Sequence, residues 1–101
     1  MIYLLNIDYI FDNMEPSDEI LEEIGYVLSS KHRPNVMKSL NERMKIPSQL
    51  CQEFDLSPNY ISMILAELKD HDLVKCVNPN AAKGRLYVLT EKGKTVVEYL
   101  E

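Results

Sequence analysis

From Ile20 onward apolar residues recur at helical spacing, and each periodic run opens on a cap or a proline. Ser17 can cap a helix from Asp18 to about Ser29, with Ile20, Ile24, Val27 and Leu28 as its buried stripe. Asp18, Glu19, Glu22 and Glu23 fill the first two turns of that helix, where the macrodipole favours negative charge. Pro34 suits the first turn of a short helix that turns Val36, Met37 and Leu40 inward and ends near Asn41. Pro47 opens the next, through about Phe54, with Leu50, Cys51 and Phe54 inward. Ile46 at its N-cap brings no side-chain acceptor, which costs about 1 kcal/mol relative to Ser or Thr. After Asp55 and Leu56, Ser57 caps a further helix with Pro58 at its first position. Ile61, Ile64, Leu65 and Leu68 follow the i, i+3, i+4, i+7 rule there and face the core, so Asn59, Tyr60, Ser62, Met63 and Ala66 face outward.

The period then shortens from helical to alternating. Leu73–Val77 and Leu86–Thr90 read as two strands, and Asn78 to Gly84 carries the turn residues between them. Thr90 caps a last helix whose apolar positions are Val96, Val97 and Leu100. At the other end, the segment 1–14 has two apolar sides: Tyr3, Ile7, Ile10 and Met14 on one with Leu4 and Phe11 beside them, Ile2, Leu5 and Tyr9 on the second. One small body offers limited surface to cover both, so the segment 1–16 is either folded onto its own domain or part of a subunit interface. The interface is the expectation adopted, formed by this segment and the last helix, with residues 17–101 as one compact domain and the chain a homodimer.

Charge changes this picture only once it is located. The whole chain carries −5, but residues 1 to 30 hold seven acids and no Lys or Arg, leaving the remaining body at +2. Lys31, Arg33, Lys38, Arg43 and Lys45 gather within fifteen residues that contain Glu42 as their one acid. Cys51 and Cys76 form no Cys-x-x-Cys pair, so neither a disulfide framework nor a common zinc spacing is suggested, and an intracellular, cytoplasmic setting is expected. The apolar start lacks a basic n-region and is interrupted by Asn6, Asp8 and Asp12, unlike a signal peptide or membrane span.

A capped helix running into two short strands whose loop holds Lys83, Gly84 and Arg85 is the order by which a winged helix-turn-helix presents a helix to the DNA major groove and a hairpin to the flanking backbone. The expected fold is therefore mainly α with a small β-hairpin wing. In the recognition helix, about 58–71, Asn59 has the donor and acceptor for adenine, Ser62 serves either base type, Tyr60 reaches phosphate or stacks, and Met63 meets a thymine methyl. In the wing, about 78–85, Lys83 and Arg85 suit phosphate or the minor groove, and Lys31, Arg33 and Lys38 add phosphate contacts. The bland alternatives are a solvated helix face for the polar residues, a partly buried filler for Met63, and a soluble loop for the wing.

With the residues in this order, the chain resembles the archaeal winged helix-turn-helix transcriptional regulators broadly grouped with the arsenic-repressor-like and multiple-antibiotic-resistance-like families. The resemblance covers roughly 18–101 and rests on Ser-Ser-Lys-His-Arg (29–33) with Leu40, Pro47-Ser-Gln-Leu through Leu68, Leu73-Val74, and Lys-Gly-Arg-Leu-Tyr-Val-Leu-Thr-Glu-Lys-Gly (83–93). It implies a DNA-binding regulator with Asn59, Tyr60, Ser62 and Met63 as groove readers and Lys83 and Arg85 as wing contacts. Two positions depart from the pattern: the family usually has a basic residue near Met63 and a Gly where Asp72 stands. The thiolate metal motif of some arsenic-repressor relatives has no counterpart here.

Catalysis is not expected, because there is no glycine-rich phosphate loop, no His with a paired nucleophile and no carboxylate pair singled out by context. Pairing Cys51 or Cys76 with His32 or His71 in a metal or redox site is weaker than reading Cys51 as an inert core thiol, and no cofactor is expected. The competing function is a winged-helix module that binds another protein through the acidic N-terminal segment.

Overall fold

A computed structural model describes residues 16–100. The reading of residues 1–16 as an apolar, acidic dimerisation element lies, but for Pro16, outside them. Five helices and a two-stranded antiparallel hairpin follow in order: α1 (Asp18–Leu28), α2 (Arg33–Glu42), α3 (Pro47–Phe54), α4 (Pro58–Asp70), β1 (Val74–Cys76), β2 (Tyr87–Leu89) and α5 (Glu91–Glu98). This is the mainly helical winged helix-turn-helix that the periodicity predicts.

The helix starts are set by local chemistry. Ser17 accepts from the Ile20 amide at 3.2 Å, Ser57 from the Tyr60 amide at 3.2 Å, and Thr90 from the Gly93 amide at 2.9 Å. Ile46 indeed has no side-chain cap bond. Its own amide instead donates to Gln49 Oε1 at 2.9 Å, the reciprocal half of a capping box without the forward half. At α2, Ser30 Oγ accepts from the His32 and Arg33 amides at 3.3 and 3.4 Å, standing in for a cap that His32 does not provide.

Two helices end alike. Asp55 (φ 54°) follows α3 and Asp72 (φ 58°) follows α4, both left-handed. The Leu56 amide then reaches Cys51 O at 3.1 Å and the Leu73 amide reaches Leu68 O at 2.9 Å. These six-to-one bonds turn the chain sharply, and Leu73 packs back over Leu68, both fully buried.

The core gathers Val27 from α1, Val36, Met37 and Leu40 from α2, Leu50 from α3, and Ile61, Ile64, Leu65 and Leu68 from α4; Leu73, Val74, Leu89 and Val96 close it. α3 packs on α4, while α2 lies against α1, α5 and β2. The strands pair Val74 with Leu89, Lys75 with Val88 and Cys76 with Tyr87, three residues each where the pattern predicts five. Alternation still holds: Val74 and Leu89 are buried while Lys75 is exposed. Lys45 adds a bridge on the far side of β2, its amide donating to Tyr87 O at 3.2 Å and its carbonyl accepting from Tyr87 N at 2.9 Å.

The stripe expected on α1 needs correction. Leu28 is 56% exposed, and Glu23, which the pattern places among the acids of the first two turns, is buried. Burial of that carboxylate is sustained by two partners on other elements: His71 Nδ1 lies 2.8 Å from Oε1 and Lys92 Nζ 2.8 Å from Oε2. Residues three and four before Val27 share its face, so the helix rotates to bring Glu23 in and Leu28 out.

Candidate functional site

α3, its left-handed turn and α4 form the helix-turn-helix, and α4 divides cleanly. Ile61, Ile64, Leu65 and Leu68 are buried, whereas Asn59, Ser62, Met63 and Ala66 are exposed, Met63 by 51%. Four inward anchors at i, i+3, i+4 and i+7 hold the helix at one rotation and present one uncharged polar and thioether stripe to solvent. Tyr60 is a correction: it is half-buried against the core, and its ring meets that of His32 edge-on at 5.4 Å. At 60 the aromatic ring belongs to the seam between α4 and the start of α2, not to the outward stripe.

The loop between the strands is built by its own side chains. Asn78 Oδ1 accepts from the Leu86 amide at 2.7 Å while its Nδ2 donates to Gly84 O at 3.1 Å. Arg85 Nε donates to Ala81 O at 2.9 Å. Gly84 has φ +67°, a conformation that L side chains rarely adopt. Lys83 and Arg85 remain exposed on either side of it. Together with Ala82 and Gly84 they line a hollow of about 310 Å³ whose opposite wall is Ile46, Pro47 and Ser48. The wing loop thereby faces the first turn of α3 across this hollow, which Ser48 lines together with the two cations. Sequence reasoning passed over Ser48, and nothing local marks it: only the return of the hairpin to α3 brings it in.

The basic run 31–45 does not form one surface. Lys31 is exposed and Lys38 half-buried. Arg33, expected to point outward, has a side chain only 13% exposed. Its Nη2 lies 3.3 Å from Glu67 Oε2, Nη1 donates to Tyr26 O at 2.8 Å, and the guanidinium sits 4.0 Å over the Tyr26 ring. Lys45 is buried as well: its Nζ donates to Ser39 Oγ, to Glu42 Oε1 at 2.9 Å and to Glu53 Oε1 at 3.2 Å. Burial works against its charge, but the two carboxylates outweigh that and hold its pKa above the usual lysine value. Glu53 is held below the usual carboxylate range, first by the Ser39 hydroxyl at 2.6 Å and then by Lys45. Two of the five cations thus fasten the fold.

Cys51 and Cys76 are free, half-buried thiols. Among the described residues no group of three or more His, Cys, Asp or Glu could hold a metal ion, and no helix is long and apolar enough to cross a membrane.

No family model matches the chain, and no curated protein matches it. Solved structures do. A crystal structure of an ArsR family transcriptional regulator superposes with a TM-score of 0.64 at 20% identity, over 82% of this chain and 84% of that one. A MarR family transcription regulator gives 0.62 at 19% identity, over 97% of this chain and 72% of that one. A double mutant of ZitR from Lactococcus lactis gives 0.62 at 21% identity over 68% of this chain. The match spans about half of that ZitR chain, 48%. Likeness at these identities establishes the winged-helix fold, shared with structures of transcription regulators.

Proposed function

We propose that the chain is a double-stranded DNA-binding transcriptional regulator, with α4 in the major groove and the wing, about 78–85, on the flanking backbone. What carries this reading is the division of α4: four buried anchors fix its rotation, and Asn59, Ser62 and Met63 remain outward on a helix followed by a wing bearing Lys83 and Arg85. Asn59 offers the paired donor and acceptor that adenine requires, Ser62 reads either base type, and Met63 covers a thymine methyl. Lys83 and Arg85, with Lys31 and Lys38, neutralise phosphates and set register without reading sequence. Tyr60 serves at most a flanking phosphate through its hydroxyl. Arg33 supports the groove-facing helix through Glu67 instead of touching DNA. A homodimer would place two such helices about one helical turn apart on a palindromic site.

Exposed Met63 and the net charge of −5 favour a second reading, a winged helix that docks on another protein. Fluorescence anisotropy on a random duplex and on a site selected from a randomised pool separates the two. Arg85→Ala weakens binding to both DNAs alike, whereas Asn59→Ala costs the selected site roughly 5- to 150-fold and leaves random duplex unchanged. Absence of binding to either DNA at low salt would move the assignment to the protein partner.

A further inference from the structure

Lys45 holds the hairpin with its backbone and two helices with its side chain. Its amide donates to Tyr87 O at 3.2 Å and its carbonyl accepts from Tyr87 N at 2.9 Å, so the link between α2 and α3 is bonded to β2. Its ammonium donates to Ser39 and Glu42 on α2 and to Glu53 in the last turn of α3. We propose that Lys45 is a positioning residue for sequence discrimination, fixing where the wing stands relative to α4 without touching DNA. This deepens the DNA-binding reading above and rests on it.

Burial is the first argument. The Lys45 side chain is 5% exposed, and an ammonium withdrawn from water is costly unless its partners make good the loss. Methionine, of similar length, would fill the same space without that cost, so stability alone does not account for a lysine here. What the ammonium adds is direction. Three acceptors on two helices define one place for its nitrogen, whereas apolar packing of the right volume tolerates adjustment. Position along the chain is the second argument. Lys45 precedes Ile46, the N-cap of α3, and α3 packs on α4. Tyr87 follows Arg85 by two residues. One residue therefore passes the placement of the helix-turn-helix on to the root of the wing. Phosphate neutralisation tolerates a wing that shifts, because attraction between charges acts over about 10 Å at moderate salt. Paired hydrogen bonds from Asn59 to a base edge do not, since they weaken steeply with displacement.

The test compares Lys45→Met with Glu53→Ala, which opens the same clasp from its more exposed end, 38% against 5%. Each full-length variant is measured by amide hydrogen exchange without DNA, and by anisotropy on random duplex and on the site selected from a randomised pool. Exchange at the Tyr87 amide should accelerate about tenfold more than exchange at Leu65 in α4. Affinity for random duplex should change by less than about twofold with its salt slope intact, while preference for the selected site falls about tenfold. The double variant should lose no more preference than either single one, as two ends of one interaction require. Unaltered preference in a folded variant, an equal loss on both DNAs, or a Tyr87 amide as protected as in the wild type would overturn the proposal. Should Lys45→Met not fold, Glu53→Ala decides by the same readouts. A wild type that binds neither duplex overturns the DNA-binding reading itself, and the discrimination with it.

Discussion

Glu23 Oε1 accepts a hydrogen bond from Nδ1 of His71 at 2.8 Å, tying α1 to the residue that caps the end of α4. The His71 ring also stacks on Tyr26, one turn along α1, at 3.6 Å with an interplanar angle of 10°, and Lys92 of α5 reaches Glu23 Oε2 at 2.8 Å and His71 O at 3.2 Å. Three helices therefore meet at one carboxylate. Burial alone would raise its pKa, but the bonds from Lys92 and His71 outweigh that and hold it below the usual value of 4.5. A carboxyl whose pKa is lowered in the folded state binds fewer protons there than when unfolded. Its contribution is present above about pH 4.5 and lost as pH falls through the folded value. Thermal unfolding of the wild type should weaken steeply below about pH 4.5, whereas Glu23→Gln should be less stable by about 1–3 kcal/mol at neutral pH and flatter on the acid side. Glu53 acts in the same direction, so some acid dependence persists in the variant. A wild type and a variant with parallel pH profiles would remove Glu23 from this role.

Gly93 permits α5 to lie directly on the chain at Leu73. A Cβ there would stand 2.1 Å from the Leu73 carbonyl oxygen, and that oxygen is held by the Thr90 amide at 3.1 Å. Gly93→Ala should destabilise by about 2–3 kcal/mol in denaturant titration despite its better helix propensity. A neutral or stabilising result would mean that α5 sits farther from the hairpin.

Asp72 occupies the left-handed position at the end of α4, where the resembling regulators carry Gly. Its side chain is exposed, so strain is not offset by buried contacts. Asp72→Gly should therefore raise stability by about 0.5–1 kcal/mol, measured as a shift of the chemical midpoint without change of slope. Loss of stability would show that the carboxylate itself holds the turn.

Arg33 and Lys31 should separate by function though they lie two residues apart. Arg33→Gln removes a mostly buried guanidinium from Glu67 and Tyr26 and should cost about 1–2 kcal/mol of stability while leaving the salt dependence of DNA affinity intact. Lys31→Gln should do the reverse: little change in unfolding, and a salt slope shallower by about 0.9. The opposite pattern would return Arg33 to the DNA surface.

How far the chain itself discloses this structure differs by level. Caps at Ser17, Ser57 and Thr90 and the prolines at 47 and 58 mark helix starts by local hydrogen bonding, and all five helices begin within a residue of the expected point. Strand type was legible from alternation, but strand length was not, because pairing ends where Val77 and Leu86 share one bond at 2.9 Å and the Asn78 network takes over. The outward stripe of α4 follows from its buried complement, with Tyr60 lost from it because His32 arrives from another element. The burial of Arg33, Lys45 and Glu23 is not legible in the local pattern, for one reason. A charge is placed by its partner, and Glu67, Glu53, His71 and Lys92 lie between 8 and 69 positions away in the chain.

The central claim, that the exposed side of α4 and the wing hold duplex DNA, is tested most directly by affinity for random duplex as salt is raised. Four phosphate-neutralising side chains, Lys31, Lys38, Lys83 and Arg85, predict a log–log slope of about −3 to −4 per protomer, shallower by about 1.8 when Lys83 and Arg85 are both changed to Gln. A slope near zero, or one that this double change leaves intact, would contradict it.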